Sequence, residues 1–424
     1  MKNTLHKNQV ESIGNETEMT KGRWKILLGG FLLSLMGGLS YAWGSFVIPL
    51  KDGYGWTAAQ ANLPFTFMII VFALTMIPAG WIQDKIGPRK VATAGAIAMF
   101  IGYSLSALVD YIPNPGWLIF SYGIIVGTAC GLTYSSIAPT ARKWFADRPG
   151  FAVSTSVMGF GLAAVAFAPL KKTMINSLGV NGTFLVLALT VAVVALLGAR
   201  LMKNPPEGYF VNAAGKVADS DEPAPLSKKT DVTPKEFLRT SDFYILWFAL
   251  AMVIGGGLTA IGLITAYGEV ELSLAPAVAA TAISVYSLVN GLGRPLAGYI
   301  ADRVGTLKVM VVIYIIQAAV FLALPWVAVN LTLLILCALF LGLGYATTFA
   351  LFPVVVAAEV GPKYLGVNYG MVFSAFAIGA VTGLAGSWLW DVTGSFTPAF
   401  LLAGGTTVVG LILLVVLQKR FKKR

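Results

Sequence analysis

One histidine and two cysteines are spread over 424 residues. The histidine, His6, lies in a polar N-terminal stretch, so Ser-His-Asp hydrolysis, Cys-His catalysis and His-ligated metal sites lack the residue they depend on. Cys130 and Cys337 both fall inside apolar runs, where a thiol packs as a small hydrophobe. Placed so, they make neither a disulfide framework nor a zinc motif. Charge is scarce too. Asp, Glu, Lys and Arg make up 12% of the chain, with 19 acidic residues against 30 basic, whereas soluble domains carry about 25%. What remains is apolar, 57% of all positions, in runs long enough to cross a bilayer. The first, 24–50, is too long for a cleaved signal peptide and lacks its small-residue cleavage pattern, so it is expected to stay in the membrane. No enzyme chemistry, cofactor or metal is expected.

Apolar runs fall at 25–50, 57–82, 91–109, 117–141, 150–170, 179–202, 242–268, 274–300, 308–328, 331–357, 365–390 and 396–418. The expected fold is an all-α polytopic membrane protein with twelve transmembrane helices in two pseudo-symmetric six-helix bundles. Its segments are a tail at 1–23, a bundle at 24–202, a linker at 203–241, a second bundle at 242–418 and a basic tail at 419–424. The break at 328–330 is very short. The linker, with Pro205, Pro206, Pro223 and Pro225 among charges, reads as mostly flexible. Thr233-Pro234-Lys235-Glu236 at its end is a capping signal for a short surface helix.

When loops are assigned alternately to two sides, 26 Lys and Arg fall on one side and Lys51, Lys171 and Lys172 on the other. That bias places both termini in the cytoplasm, in the inner membrane of a cell. Basic loops facing anionic lipid headgroups account for the net charge of +11 without a nucleic-acid partner.

The two halves repeat. Gly80-Trp-Ile-Gln-Asp84-Lys-Ile-Gly87-Pro-Arg89-Lys90 recurs as Gly298-Tyr-Ile-Ala-Asp302-Arg303-Val-Gly305-Thr-Leu-Lys308, 218 positions later; Pro139 and Pro353 are 214 apart, and Gly150 and Gly366 216 apart. A duplicated six-helix unit suits a transporter that holds substrate at mid-membrane between two rocking halves. These loops and the layout resemble the major facilitator superfamily over essentially the whole chain. The resemblance implies a cytoplasmic gate in which Asp84 accepts hydrogen bonds from a neighbouring helix terminus or pairs with Arg89, while the glycines allow close helix approach. The alternative is that both loops are simply well-capped turns. Lys51-Asp52-Gly53-Tyr54-Gly55-Trp56 is similar to one signature of monocarboxylate porters. Lys143-Trp-Phe-x-Asp147-Arg148-x-Gly150, with Gly159 and Gly161 beyond, is similar to their second signature and to bacterial oxalate/formate antiporters. Both point to a small organic anion rather than sugars or drugs.

One basic residue, Arg294, belongs to neither side. It lies inside the eighth crossing, where insertion costs at least about 2.5–3.5 kcal/mol, and no acidic residue occupies the central part of any crossing. A carboxylate arriving from water would supply the missing partner by a bidentate contact. The competing outcome is a side chain that snorkels toward Asp302 or lipid phosphates. Gly291, Gly293 and Pro295 loosen the helix here, and the family resemblance places its substrate arginine on this crossing. Asn290, one turn earlier, shares the face. Animal monocarboxylate porters carry an Asp at the Asn290 position and a Lys in the first crossing, where this chain is uncharged, so their proton relay does not transfer.

One arginine neutralises one carboxylate. Oxalate-type antiporters resemble this chain but add a second cation from the eleventh crossing, where this chain has Phe376; a monoanion such as lactate, acetate or pyruvate is therefore expected. Candidate walls are Tyr41, Tyr134, Tyr345, Phe349, Phe373 and Phe376, which combine apolar faces with hydroxyl donors; helix packing is their other reading. Gly255 to Gly257 and Gly123 to Gly131 read as close-packing positions. The expected function is proton-coupled monocarboxylate symport by alternating access. Anion exchange of the oxalate/formate kind and a non-transporting carboxylate sensor are the alternatives. The proton's seat is open: it rides with the substrate or sits on a gate carboxylate such as Glu359.

Overall fold

Hydrocarbon offers backbone amides no water, so a chain of apolar runs must close its hydrogen bonds within helices. Among residues 22–206 and 231–423, which this computed structural model describes, there is no strand. Most of the expected N-terminal tail with His6, residues 207–230 of the expected flexible linker, and Arg424 lie outside the described residues.

The helices are α1 (Gly22–Ala42), α2 (Ala58–Ile86), α3 (Pro88–Ser106) and α4 (Pro115–Trp144). Residues Pro149–Leu201 follow as two helices that meet at a kink at Gly179, α5 (149–178) and α6 (180–201). The second half holds α7 (Ser241–Val270), α8 (Pro276–Val304), α9 (Thr306–Val327), α10 (Leu331–Val360), α11 (Leu365–Thr393) and α12 (Thr397–Lys423). Twelve crossings result among the described residues, because the 53-residue stretch is divided at Gly179 (φ 72°, ψ −178°). That backbone region is essentially reserved for glycine.

Polar residues at the ends fix where helices begin. Thr57 and Gln60 exchange side chain-to-backbone bonds in a capping box before α2. Asn330 Oδ1 accepts the Leu333 N–H at 3.0 Å, which is how so brief a break separates α9 from α10. Thr233 and Glu236 form the capping box read from the sequence, opening the short helix Pro234–Leu238. Bonds from the Thr233 backbone and hydroxyl hold the Glu236 carboxyl below the usual carboxylate range.

Three expectations need correction. The 25–50 run is not one straight crossing: α1 tightens into a 3-10 turn at Gly38–Ala42 and a new helix runs Gly44–Tyr54. A Cβ at Gly38 would overlap the Phe160 backbone, so α1 bends where it touches α5. The basic segment 419–424 is helical through Lys423 rather than a tail; cations suit a helix C-terminus, and Arg420 pairs with Asp242 at 3.2 Å. Lys171, assigned to a loop, is fully buried in α5, because that helix runs on past 170 to Gly179.

α5 packs along α8 and α2 along α11, so each half grips the other twice. Outward faces are apolar, with stripes such as Leu189, Val193 and Leu197 on α6 and Val381, Leu384, Trp388 and Val392 on α11. Such a surface requires lipid. At the end remote from the Asp84 and Asp302 loops, a cleft of about 930 Å³ opens between the halves. Tyr41, Ser45, Ala168 and Lys172 line one side of it, and Thr265, Ile283 and Ser287 the other.

Candidate functional site

Helical spacing puts Tyr286, Asn290 and Arg294 on one stripe of α8, each one turn from the next. That stripe faces inward: all three are buried, and Arg294 has no exposed surface. α8 comes close enough to α5 for a cross-half bond because glycines meet there; a Cβ on Gly161 would collide with the Gly291 backbone. Arg294 Nη1 donates to the Val157 carbonyl on α5 at 2.7 Å. Nε donates to Asn290 O at 3.1 Å and Oδ1 at 3.3 Å, and Nη2 to Asn290 Oδ1 at 3.1 Å. The guanidinium carbon sits 4.8 Å from the Phe349 ring centroid, a cation–π contact.

Every one of these partners is neutral. No carboxylate pairs with Arg294 among the described residues, and Asp302 is engaged elsewhere. Snorkelling is excluded in this conformation. A guanidinium has five N–H donors, and the bonds above use one on each nitrogen. One hydrogen on Nη1 and one on Nη2 therefore have no acceptor among the described residues. Paired terminal donors are the fork that receives a carboxylate.

The aromatic candidates come together around this fork. Phe349 lies 5.0 Å from Tyr345, 6.1 Å from Phe373 and 5.7 Å from Phe376, centroid to centroid. Tyr134 lies 5.4 Å from Phe373 across the halves. Tyr41 borders the cleft on one side and packs edge-on against Phe160 at 6.0 Å on the other. The Tyr134 and Tyr345 hydroxyls are buried and close no hydrogen bond of ordinary length among the described residues, each having another tyrosine, Tyr369 or Tyr41, as its polar neighbour. Tyr134, Phe160, Arg294, Phe349 and Phe376 each lie ten or eleven residues from the end of their helix nearest the Asp84 and Asp302 loops. That is ~15 Å at the helical rise, about the mid-plane of a bilayer.

Four members of the cluster escaped the sequence reading. Phe72 bridges the halves, 5.5 Å from Tyr134 and 5.2 Å from Phe373. Phe160 stacks on Phe72 at 6.0 Å. Nothing in their local sequence marks them out. Tyr286 and Tyr369 were within reach, since each lies one turn from a residue already singled out, Asn290 and Phe373.

The repeated loops form a matched pair of latches. Asp84 accepts the N–H groups of Gly366 at 3.2 Å and Val367 at 3.1 Å, at the start of α11. Asp302 accepts those of Gly150 and Phe151, both at 2.8 Å, at the start of α5. Each half thus caps a helix N-terminus of the other, where the macrodipole favours an anion. Gly80 and Gly298 allow it: a Cβ on either would overlap the Gly366 or Gly150 carbonyl. Gly87 and Gly305 take positive φ, 87° and 101°, to turn the chain into α3 and α9. Arg89 does not pair with Asp84; its Nε donates to Met202 O at 3.3 Å. Lys90 is exposed, and Arg303 lies over the Tyr299 ring at 4.2 Å. Lys143 and Arg142, adjacent on α4, lie within electrostatic reach of Asp84 and Asp302 respectively. The latch end is shut while the opposite end holds the cleft.

The sequence profile of the Major Facilitator Superfamily matches residues 26–270 and 248–424. The chain belongs to that superfamily. As a member, it is a multi-pass membrane transporter and not an enzyme. Its relatives include the oxalate:formate antiporter of Oxalobacter formigenes, 27% identical over 94% of this chain and 92% of the relative. Monocarboxylate transporter 13 of Rattus norvegicus is 25% identical over 94% and 89%. Among solved structures, the superfamily transporter FucP in its outward conformation superposes with a TM-score of 0.71, at 17% identity over 92% of this chain and 98% of that one. This last likeness supports the superfamily fold alone.

Proposed function

We propose that this transporter moves a small monocarboxylate, lactate-like in size, together with a proton by alternating access. The observation that carries the reading is the buried Arg294 fork, which among the described residues has no carboxylate and one unengaged hydrogen on each terminal nitrogen. The buried Tyr134 and Tyr345 hydroxyls, which close no hydrogen bond of ordinary length among the described residues, are suited to the remaining substrate oxygens. Phe72, Phe349, Phe373 and Phe376 suit a short apolar tail. Relatives named as monocarboxylate and oxalate:formate transporters support the anion class. The uneven distribution of Lys and Arg supports an orientation with the latch end and both termini in the cytoplasm of an inner membrane.

The anion enters by the cleft, passes Tyr41 and docks on Arg294, neutralising it. Arg294 also bonds Val157 across the halves, so a carboxylate competing for Nη1 loosens that tie. The halves then rock about the fixed site, and the Asp84 and Asp302 latches release. Labelled lactate uptake into liposomes tests this. A carboxylate loses two charge-assisted bonds in Arg294→Gln, each about 1.5–3 kcal/mol, or at least about a hundredfold in affinity. Arg294→Lys keeps the charge but not the fork and is expected to fall short as well. Wild-type uptake in both variants removes Arg294 from the mechanism.

The antiporter relative favours a second reading, exchange of one carboxylate for another. Uptake accelerated by external acid supports symport; uptake that requires internal substrate and ignores the pH gradient supports exchange.

A further inference from the structure

Lys171 and Arg294 are the two basic residues with no exposed surface among the described residues, and the carboxylate site leaves Lys171 unused. Its position has a local cause. In the 3-10 turn Gly38–Ala42 the Trp43 N–H bonds Ser40 O rather than Leu39 O. The Leu39 carbonyl, bonded within the 3-10 turn by the N–H three residues on, uses its second lone pair to accept Lys171 Nζ at 2.6 Å. The Phe46 ring lies 5.3 Å from the same nitrogen and stacks on Phe184 of α6.

Titratable groups on the surrounding elements face elsewhere. On α5, Lys172 turns into the cleft. On the α1 turn, Tyr41 borders the cleft and packs on Phe160. On the helix Gly44–Tyr54, Lys51 and Asp52 are exposed, and Tyr54 donates to Asp110. Tyr103 and Tyr122, from α3 and α4, ring Phe184. No carboxylate reaches the amine among the described residues.

We infer that Lys171 is the proton site that couples proton movement to anion movement, an inference that rests on the monocarboxylate reading above. An ammonium buried among neutral groups is disfavoured unless a negative charge compensates it. With the site empty, Arg294 is the one fully buried positive charge among the described residues, and the Lys171 amine stays neutral. An anion on Arg294 cancels that charge, and Lys171 then takes a proton from water in the cleft that Lys172 borders. Empty and loaded cores each carry one net positive charge, so anion and proton cross together without net charge movement. The link is also mechanical. Leu39 and Tyr41 belong to one five-residue turn, and charging the amine strengthens its bond to Leu39 O, which fixes the turn that sets Tyr41.

The test uses the full-length protein in liposomes with two readouts of labelled lactate: exchange at symmetric pH, and accumulation driven by an imposed gradient. At one proton per anion, about one pH unit drives about tenfold accumulation in the wild type. Lys171→Met and Lys171→Arg, which fix the site as neutral or charged, are expected to keep exchange and lose accumulation. Accumulation by Lys171→Met at the wild-type level overturns the inference. Loss of exchange in both variants overturns it too, since Lys171 is then a structural residue. Wild-type exchange without gradient-driven accumulation defeats proton coupling alone, whereas a wild type that neither exchanges nor accumulates defeats the carboxylate reading and this inference with it.

Discussion

Removing the two latch carboxylates should open the shut end of the molecule by an amount the structure allows to be worked out. Asp84 and Asp302 each accept two backbone N–H bonds from the N-terminus of a helix in the opposite half. The Asp302 bonds are the shorter, 2.8 Å against 3.1–3.2 Å, and distance alone would make it the stronger latch. Exposure reverses the order. Asp302 is solvent-exposed and Asp84 half-buried, so water replaces much of what Asp302→Asn loses. A hydrogen bond to a charged group contributes about 1.5–3 kcal/mol net, and asparagine keeps one acceptor oxygen while surrendering the charge. The expected loss is therefore ~1.5–3 kcal/mol for Asp84→Asn and, with solvent screening, ~0.5–1 kcal/mol for Asp302→Asn. The two sites share no partner, so their effects on the open–shut equilibrium should add. The double variant shifts it by ~2–4 kcal/mol, a factor of roughly 30–1,000.

Spin labels at Lys85 and Lys363, replaced by cysteine, read this directly. Both positions are exposed and lie on either side of the Asp84 latch, while the native Cys130 and Cys337 are buried and should stay unlabelled. In lipid nanodiscs without substrate, the wild type should give one short distance. A longer population should appear in Asp84→Asn, more weakly in Asp302→Asn, and dominate in the double variant. A wild-type distribution in the double variant would refute the latch. A larger effect from Asp302→Asn would refute the screening argument while leaving the latch in place.

The sequence made the crossings, the repeat and Arg294 legible for physical reasons. Lipid punishes charge and unpaired amides so heavily that apolar runs and polar breaks map almost directly onto helices, even at 328–330, where one asparagine cap marks the boundary. Arg294 was visible because a charge in such a run needs explanation. Neutral or locally paired features were less legible. Phe72 and Phe160 look like any lipid-facing phenylalanine until the fold brings α2, α5 and α11 together. Lys171 was misread because a lysine beside another lysine, with no acid nearby, reads as a loop. Its burial depends on α5 continuing to Gly179 and on the Leu39 carbonyl of the tight turn in α1 accepting its amine, neither of which a hydropathy pattern reports. Of the two partners the resemblance implies for Asp84, the helix terminus holds and Arg89 does not: the N–H groups at the start of α11 reach the carboxylate, and Arg89 turns to the Met202 carbonyl.

Two further substitutions probe the fold and the charge count. Gly179→Ala places a Cβ on a residue at φ 72°, ψ −178°, at a cost of about 1–3 kcal/mol; the detergent-solubilised protein should melt several degrees lower, and an unchanged melt would mean that the α5–α6 division is not fixed there. Phe376→Lys tests why a monoanion is preferred. Phe376 is fully buried, and its ring centroid is 5.7 Å from that of Phe349, which itself lies 4.8 Å from the Arg294 guanidinium carbon. A lysine there brings a second cation to within about 10 Å of the first, a repulsion of about 1.5 kcal/mol or more at an effective dielectric constant of about 20. The empty variant should therefore lose stability and lactate uptake together. A dicarboxylate as short as oxalate supplies both missing charges and should restore the melting temperature, where lactate restores little. If oxalate gives the variant no more protection than it gives the wild type, charge balance at Arg294 is not what selects the substrate, and the preference must come from the shape of the aromatic cage.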